Sequence, residues 1–129
     1  MKNISLSARL QCIYNAAATV ISEFEYRPVL CDVGCDHAHV PIKLAADGKI
    51  EHAYCLDVIP GPVRIAKNNV DLYGLTGKVD VVQSDGLDSF DHDADILMIT
   101  GMGGMLIEDI ISRDAEKTMA FTALILSPQ

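Results

Sequence analysis

Aromatic side chains are scarce in this sequence: tryptophan is absent, and phenylalanine and tyrosine together make up 5% of the chain. Half of the 129 residues are nevertheless apolar, so a single domain with an aliphatic core is expected. No stretch approaches the roughly 20 unbroken apolar residues of a membrane span. Residues 1–10 also lack the apolar centre of a signal peptide, so we expect a cytoplasmic protein with no membrane partner.

Cysteine is too sparse and too deeply placed to predict a disulfide framework. The count is four, but Cys31 and Cys55 lie within predicted buried strands, where reduced thiols act as small core residues. Cys35, His37 and His39 follow within a short span, yet their spacing matches no tetrahedral zinc pattern. We therefore predict no metal site.

Basic residues are nearly missing from the second part of the chain. Residues 79–129 contain two Lys/Arg against ten Asp/Glu, whereas residues 1–78 contain eight of each. The acidic part therefore accounts for the whole net charge of −8. Such a surface repels nucleic acid at long range. Any RNA contact must come from the neutral part or from another polypeptide segment.

Apolar residues recur every three or four positions between Leu6 and Phe24, which predicts an N-terminal amphipathic helix capped by Ser5 or Ser7. Beyond it, short β-branched runs alternate with helical stretches. The predicted strands are Val29–Val33, Ala53–Val58, Val79–Gln83, Asp95–Thr100 and Ala123–Leu126. The predicted helices are Val40–Ala46, Pro62–Tyr73 and Met105–Arg113, with Asp114–Phe121 as a further short helix.

This alternation predicts an α/β fold, because each strand–helix–strand unit places its two strands in parallel. We expect one Rossmann-like domain over residues 1–129, with helices on both faces of a mainly parallel sheet in the order 3-2-1-4-5. Ligands would bind beyond the carboxyl ends of the strands. The sequence ends directly after the fifth strand, so we expect the chain to be a fragment.

The most specific feature is the glycine turn after the first strand, Asp32-Val33-Gly34-Cys35-Asp36-His37. Dinucleotide-binding turns usually carry a second glycine where this chain has Asp36, and that glycine lets the backbone approach a pyrophosphate. A carboxylate would repel the diphosphate, so a cationic or zwitterionic ligand such as S-adenosylmethionine is favoured. His37 is predicted to contact the substrate or the cofactor. A nicotinamide-dependent oxidoreductase stays as a less favoured enzyme class.

Three further strand ends carry residues suited to the rest of such a ligand. Asp57 could accept hydrogen bonds from ribose hydroxyls, although an acid that simply precedes the next helix is the alternative. Asp85 could accept from an adenine amino group while Gly86 lets the ring approach, or the pair could form an ordinary turn. The segment Gly101-Met102-Gly103-Gly104 predicts one wall of the pocket, or only a tight strand-to-helix turn.

Six motifs, in order and at matching intervals, resemble the bacterial tRNA (adenine(22)-N(1))-methyltransferase family of class I S-adenosylmethionine-dependent enzymes. They are Leu6-Ser7-Ala8-Arg9-Leu10, Asp32-Val33-Gly34-Cys35-Asp36-His37, Asp57-Val58-Ile59-Pro60-Gly61-Pro62, Asp85-Gly86-Leu87, Gly101-Met102-Gly103-Gly104 and Leu124-Ile125-Leu126-Ser127-Pro128-Gln129. The resemblance covers essentially the whole chain. It implies a class I methyltransferase core and methyl transfer from S-adenosylmethionine to N1 of an adenine in tRNA, at position 22.

The resemblance also implies a site. The expected cofactor-binding residues are Asp32, Gly34, Cys35, Asp36, Asp57, Val58, Asp85, Gly86, Gly101, Met102, Gly103 and Gly104. Asp36 and His37 are the expected catalytic residues, and Asp36 would stabilise the positive charge that develops on the methylated adenine. Arg9 and His37 are the expected substrate contacts. Arg9 would meet the cofactor carboxylate or an RNA phosphate, with a solvated helix charge as an equally weighted alternative.

Two departures from the family pattern bear on this expectation. Ala38 and His39 stand where the family usually has glycine or alanine followed by an aromatic residue. Family members also continue beyond the fifth strand into a helical, coiled-coil-like region implicated in gripping tRNA. The tRNA partner is therefore expected to need a region outside this chain. A cofactor-binding module without catalysis is the main alternative, and a homodimer is left open.

Overall fold

The computed structural model describes residues 4–129 and contains one five-stranded sheet in which every neighbouring pair is parallel. The strand order is β3-β2-β1-β4-β5, as predicted. The strands are β1 (Val29–Val33), β2 (His52–Asp57), β3 (Val79–Gln83), β4 (Ile96–Thr100) and β5 (Ala123–Ser127). β1 lies between β2 and β4, so the chain reverses its direction of travel across the sheet at β1.

Helices cover both faces of this sheet, which confirms the predicted α/β layering. They are α1 (Ala8–Ile21), α2 (His39–Ala46), α3 (Pro60–Leu72), α4 (Gly104–Arg113) and α5 (Ala115–Met119). Side chains of α1, α2 and α3 pack with one set of strand residues, among them Leu30 and Met98. Side chains of α4 pack with the alternate set, among them Cys31 and Leu97, because successive strand residues point to opposite faces.

The helix ends follow local signals in the sequence. The Ser7 side chain accepts a hydrogen bond from the Leu10 amide and caps α1, which decides between the two predicted caps. α3 begins at Pro60, two residues earlier than predicted, since both Pro60 and Pro62 tolerate the first helical turn. Gly74 follows α3 with φ +69°, a left-handed conformation that ends a helix.

The central strands β1 and β4 are buried, whereas the edge strands β3 and β5 each contain one buried residue, and the cysteines are free as the sequence predicts. Cys31 and Cys55 are fully buried free thiols, and Cys35 is buried beside them. Burial raises the pKa of the Cys31 thiol, and a hydrogen bond with Cys35 raises that of Cys55, so both act as small core residues. Among residues 4–129, no helix is long and apolar enough to cross a membrane.

Candidate functional site

A cavity of about 420 Å³ opens where the carboxyl ends of β1, β2 and β4 meet. This is the position at which open parallel sheets bind ligands, and the volume lies within the roughly 300–1,000 Å³ of small-molecule sites. Ten of the residues predicted from the sequence line it: Arg9, Asp32, Gly34, Cys35, Asp36, His37, Asp57, Val58, Gly101 and Met102. Four separate segments of the chain therefore converge on one pocket.

The turn after β1 is held in an uncommon backbone conformation. Asp36 and Ala38 have φ values of +54° and +62°, in the left-handed region that L-residues seldom adopt. The Asp36 amide donates to Asp57 Oδ2 at 3.1 Å, and the Asn69 side chain donates to the His37 carbonyl at 2.9 Å. These bonds from β2 and α3 stabilise a turn that costs backbone energy, a pattern typical of functional sites.

Gly34 is favoured by its left-handed backbone conformation and by the packing of the pocket. Its φ is +73°, and its amide donates to the Leu56 carbonyl at 2.7 Å. A Cβ at this position would overlap the Met102 side chain, which comes from the loop after β4. Glycine therefore allows the β1 and β4 loops to approach each other across the cavity.

Asp32, at the end of β1, is the most perturbed acid in the site. Its side chain is 3% exposed, and Oδ1 has no hydrogen-bond partner among the described residues. Burial and the nearby Asp57 raise the pKa of Asp32 to about 8. The carboxyl group is therefore mostly protonated at pH 7, and a cation bound beside it would favour the ionised form.

Asp57 is oriented by the backbone around it. Its Oδ2 accepts from the Asp36 amide at 3.1 Å, and its Oδ1 accepts from the Ile59 amide at 3.2 Å. Each oxygen retains a lone pair for a further donor. The carboxylate is thus held in place by two loops and can accept hydrogen bonds from two neighbouring hydroxyl groups.

Two imidazoles border the pocket beside the turn. The His37 Nε2 lies 3.8 Å from Asp36 Oδ1, and the His37 and His39 rings pack edge to face with centroids 5.7 Å apart. Burial and the neighbouring His37 lower the pKa of His39, so its ring is neutral at pH 7. His39, which was not among the predicted site residues, also lines the cavity.

Arg9 reaches the pocket from α1. Its Nη1 lies 3.8 Å from where a Cβ of Gly101 would be. Gly101 itself has φ +74°, and its backbone turns the chain sharply after β4. Arg9 forms no ion pair within residues 4–129, so its guanidinium faces the cavity without a carboxylate partner.

Four of the predicted residues lie outside the cavity lining. Asp85 and Gly86 follow β3, where the Asp85 carboxylate pairs with Arg113 at 3.2 Å. Gly103 caps α4, and Gly104 is the first residue of that helix. The structure therefore gives Gly103 and Gly104 a place in a strand-to-helix turn.

Nine lining residues were not among the predicted site residues: Leu10, His39, Val40, Pro41, Ile59, Met98, Thr100, Leu106 and Gln129. Leu10, Ile59 and Thr100 directly adjoin a predicted residue in the sequence, whereas Val40, Pro41, Met98 and Leu106 carry no local signal for the site. Gln129 is different, since it arrives from the end of β5, where its amide donates to the Met102 carbonyl at 2.8 Å. Within the described part of the chain, no group of three or more His, Cys, Asp or Glu could hold a metal ion.

The profile of a family described as "Methyltransferase domain" matches residues 6–129. The tRNA (adenine(22)-N(1))-methyltransferase of Bacillus subtilis is 34% identical over 129 residues, which are 99% of this chain and 51% of that protein. The chain thus spans about half the length of this curated relative.

Two solved structures are similar in both fold and sequence. A Streptococcus agalactiae protein of the NADB-Rossmann superfamily has a TM-score of 0.86 and 38% identity, covering 98% of this chain and 54% of its own. A Streptococcus pneumoniae protein in complex with S-adenosyl-L-methionine has a TM-score of 0.85 and 34% identity, covering 96% of this chain and 56% of its own. Both align with the fold described above.

Proposed function

The chain belongs to the methyltransferase-domain family, and from that premise we propose that it binds S-adenosylmethionine and directs methyl transfer to N1 of an adenine in tRNA. The family assignment supports methyl transfer. The similarity to the Bacillus subtilis enzyme and to the cofactor-bound Streptococcus pneumoniae structure supports the cofactor and the tRNA substrate. A protein acting on tRNA would work in the cytoplasm.

The observation that carries the proposal is the presence of two carboxyl groups, those of Asp32 and Asp57, in one cavity. Asp32 is buried with an oxygen that has no partner among the described residues, which suits the ammonium group of a methionine moiety. Asp57 is held by two amides and suits the two ribose hydroxyls. A diphosphate would fit poorly between two carboxyl groups, which argues against a nicotinamide dinucleotide.

The remaining predicted residues are assigned to the methionine, ribose and adenine parts of the ligand. We assign the Asp32–Asp36 turn and the Gly101–Met102 loop to the methionine end. Val58 is assigned to the ribose and Asp85 to the adenine ring, while Gly86 gives Arg113 room beside Asp85. Arg9, which has no carboxylate partner, is suited to the methionine carboxylate or to an RNA phosphate.

When bound, S-adenosylmethionine supplies a sulfonium methyl group, which the N1 lone pair of adenine displaces to leave S-adenosylhomocysteine and a cationic methyladenine. N1 carries no proton, so the chain needs no general base to start this reaction. Its residues instead position the target base and stabilise charge. Asp36 is exposed at the mouth and can face the positive charge on the product, while His37 and the neutral His39 border the path of an unstacked base.

Binding of tRNA requires a positively charged surface, and the positive charges are unevenly distributed along the described chain. Arg9 lies at the cavity, whereas the second part of the chain is strongly acidic. We propose that tRNA approaches from the side of α1. In relatives of about twice this length, the additional residues can supply further phosphate contacts.

Two measurements on the 129-residue chain test the proposal. Calorimetric titration with S-adenosylmethionine should show saturable binding, and NAD should show none. Incubation with tRNA and labelled S-adenosylmethionine should then yield N1-methyladenine, which mass spectrometry identifies. Asp36→Ala should lower kcat by at least about tenfold with little change in cofactor affinity, because its charge acts on the reacting base.

The outcomes separate binding from catalysis. If a control methyltransferase binds S-adenosylmethionine in the same assay and this chain does not, the proposed function is refuted. Binding without methyl transfer to tRNA would favour the module that holds the cofactor but performs no catalysis. An unchanged kcat for Asp36→Ala would remove the electrostatic role of that residue alone.

A further inference from the structure

Arg113, the last residue of α4, reaches back over the Asp85–Gly86 turn that follows β3. Its Nη2 donates to Asp85 Oδ1 at 3.2 Å and lies 3.4 Å from the Asp85 carbonyl oxygen. The guanidinium is further surrounded by carboxylates of Asp88, Asp109 and Asp114 at 3.4–3.9 Å. One arginine therefore connects the end of β3 to the end of α4.

Gly86 makes this approach possible. A Cβ on Gly86 would lie 2.7 Å from Arg113 Nη2 and 3.3 Å from Ile110 Cγ1, and its φ is +57°. No other residue type leaves that space for the guanidinium without a shift of the arginine. The sequence predicts that Gly86 lets an adenine ring approach or forms an ordinary turn with Asp85, whereas the structure fills the open side of Gly86 with Arg113.

The contact leaves the second carboxylate oxygen of Asp85 without a partner among the described residues. Oδ1 is engaged by Arg113, while Oδ2 accepts no hydrogen bond from the residues that the structure describes. The turn also adjoins the ribose end of the pocket, because the neighbouring Ser84 amide donates to the Asp57 carbonyl at 2.9 Å. A carboxylate accepts hydrogen bonds and donates none, so the free oxygen favours an amino group over an oxo group.

We propose that Arg113 is a positioning residue that orients the Asp85 carboxylate, so that the site selects a 6-amino purine over a 6-oxo purine. This inference rests on the proposed function, in which Asp85 meets the adenine ring. Arg113 itself contacts the ligand only through Asp85. The planar guanidinium, which binds the side chain and the backbone oxygen of Asp85 together, defines the direction of the remaining oxygen.

The test compares S-adenosylhomocysteine with S-inosylhomocysteine, which carries an oxo group in place of the amino group. Isothermal titration calorimetry measures both affinities for the 129-residue chain and for the variants Arg113→Gln, Arg113→Lys and Asp85→Asn. Lys117→Gln is the matched control, since Lys117 donates to the carbonyl oxygens of Leu87 and Asp88 but does not contact Asp85.

The wild type should prefer the adenosyl ligand by about a hundredfold, and Arg113→Gln should reduce that preference about tenfold, as expected for loss of one oriented charged hydrogen bond. Arg113→Lys should retain part of the preference, and it carries the test if Arg113→Gln fails to fold. Lys117→Gln should leave the preference unchanged. A merely structural role for Arg113 would weaken both ligands equally, and that result would overturn the inference.

The same titrations distinguish a failure of the proposed function from a failure of the inference about Arg113. If the wild type binds neither ligand, the proposed function fails. If Asp85→Asn leaves the preference unchanged, Asp85 does not contact the base, and the inference about Arg113 falls with that assignment. If Asp85→Asn lowers the preference but both Arg113 variants retain it, only the role of Arg113 is refuted.

Discussion

Asp32 illustrates how much the chemistry of one residue depends on its surroundings. The side chain follows the buried Leu30 and Cys31 of β1 and ends inside the cavity, 3% exposed and close to Asp57. Desolvation there penalises the charged form, and a second acid nearby adds to the penalty. A carboxyl group of this kind destabilises the folded protein at neutral pH unless a cation is bound.

The pH dependence of stability should reveal this penalty. The pKa of Asp32 is about 8 in the folded protein against 3.8 when unperturbed, so the folded state binds the proton more tightly. The Asp32 contribution is therefore most favourable below pH 4 and is lost as the pH rises from about 4 to about 8. Within that window the free energy of unfolding should fall by up to about 1.4 kcal/mol per pH unit because of this group.

Urea unfolding of the wild type and of Asp32→Asn at pH 5, 6, 7 and 8 measures the effect. The variant cannot ionise, so its stability relative to the wild type should increase across the series. Asp93→Asn, in an exposed loop, is the control that should not show this trend. A constant difference between wild type and Asp32→Asn at all four pH values would contradict the raised pKa.

Asp36 combines an exposed carboxylate with a left-handed backbone, which allows its chemical and conformational roles to be separated. Its φ of +54° is strained for alanine and relaxed for glycine. Asp36→Gly should therefore be more stable than Asp36→Ala by about 1 kcal/mol, although both lack the carboxylate. Thermal unfolding checks the stability, and the tRNA assay should show a similar loss of kcat in both variants.

Equal stabilities of the two Asp36 variants would show that the backbone at this position relaxes when the side chain is removed. A markedly lower kcat for Asp36→Ala than for Asp36→Gly would show that turn geometry, more than charge, accounts for the loss of activity.

At the scale of elements, α3 stabilises the turn that follows β1. Asn69 lies on the buried side of α3, and its amide donates to the His37 carbonyl at 2.9 Å. The hydrogen bond spans 32 positions in the sequence and connects the second crossover helix to the turn after β1. Without it, the left-handed residues Asp36 and Ala38 would be held mainly by the Asp36–Asp57 contact.

Removing this connection should loosen the site more than the fold. Asn69→Ala should cost about 1 kcal/mol of stability, the usual net value of one hydrogen bond. It should also weaken S-adenosylmethionine binding severalfold, because the turn would sample other conformations. Asn68→Ala is the matched control, since Asn68 is the exposed neighbour on the same helix.

Calorimetry gives the affinities of the two Asn variants and differential scanning gives their unfolding temperatures. If Asn68→Ala and Asn69→Ala lose the same affinity, the proposed support of the turn by α3 is wrong.

For the whole molecule, the order and direction of the strands could be predicted. The hydrophobic periodicity of each segment identifies it as a strand or a helix, and alternating strands and helices can form only a few sheet topologies. β1 and β3 have the predicted bounds, β4 and β5 differ by one residue at one end, and β2 is shifted by one residue at both ends. Right-handed parallel crossovers then leave little choice for the sheet order. The largest helix errors are the end of α1, which stops at Ile21 and not at Phe24, the start of α3 and the shorter α5, where weak end signals and two prolines blur the bounds.

The site was only partly predictable. Whether a segment lines the pocket depends on how far it lies from the other segments in the fold and on the direction in which its side chains point. The strand-end rule brings Asp32, Asp57 and Gly101 to the same edge. It cannot show that His39 turns into the cavity or that Gln129 reaches it from β5. It also cannot show that Arg113 lies over Gly86, because Gly86 and Arg113 are 27 positions apart in the sequence and meet through packing of α4 on the sheet.

The glycine turn after β1, the acids at the strand ends and the parallel order of the sheet were determined by the sequence alone, because they depend on local patterns and on the handedness of the chain. Only the tertiary structure decided the burial and raised pKa of Asp32, the support of the turn by Asn69 and the pairing of Asp85 with Arg113. These properties arise from desolvation and from contacts between distant segments, which no local pattern records.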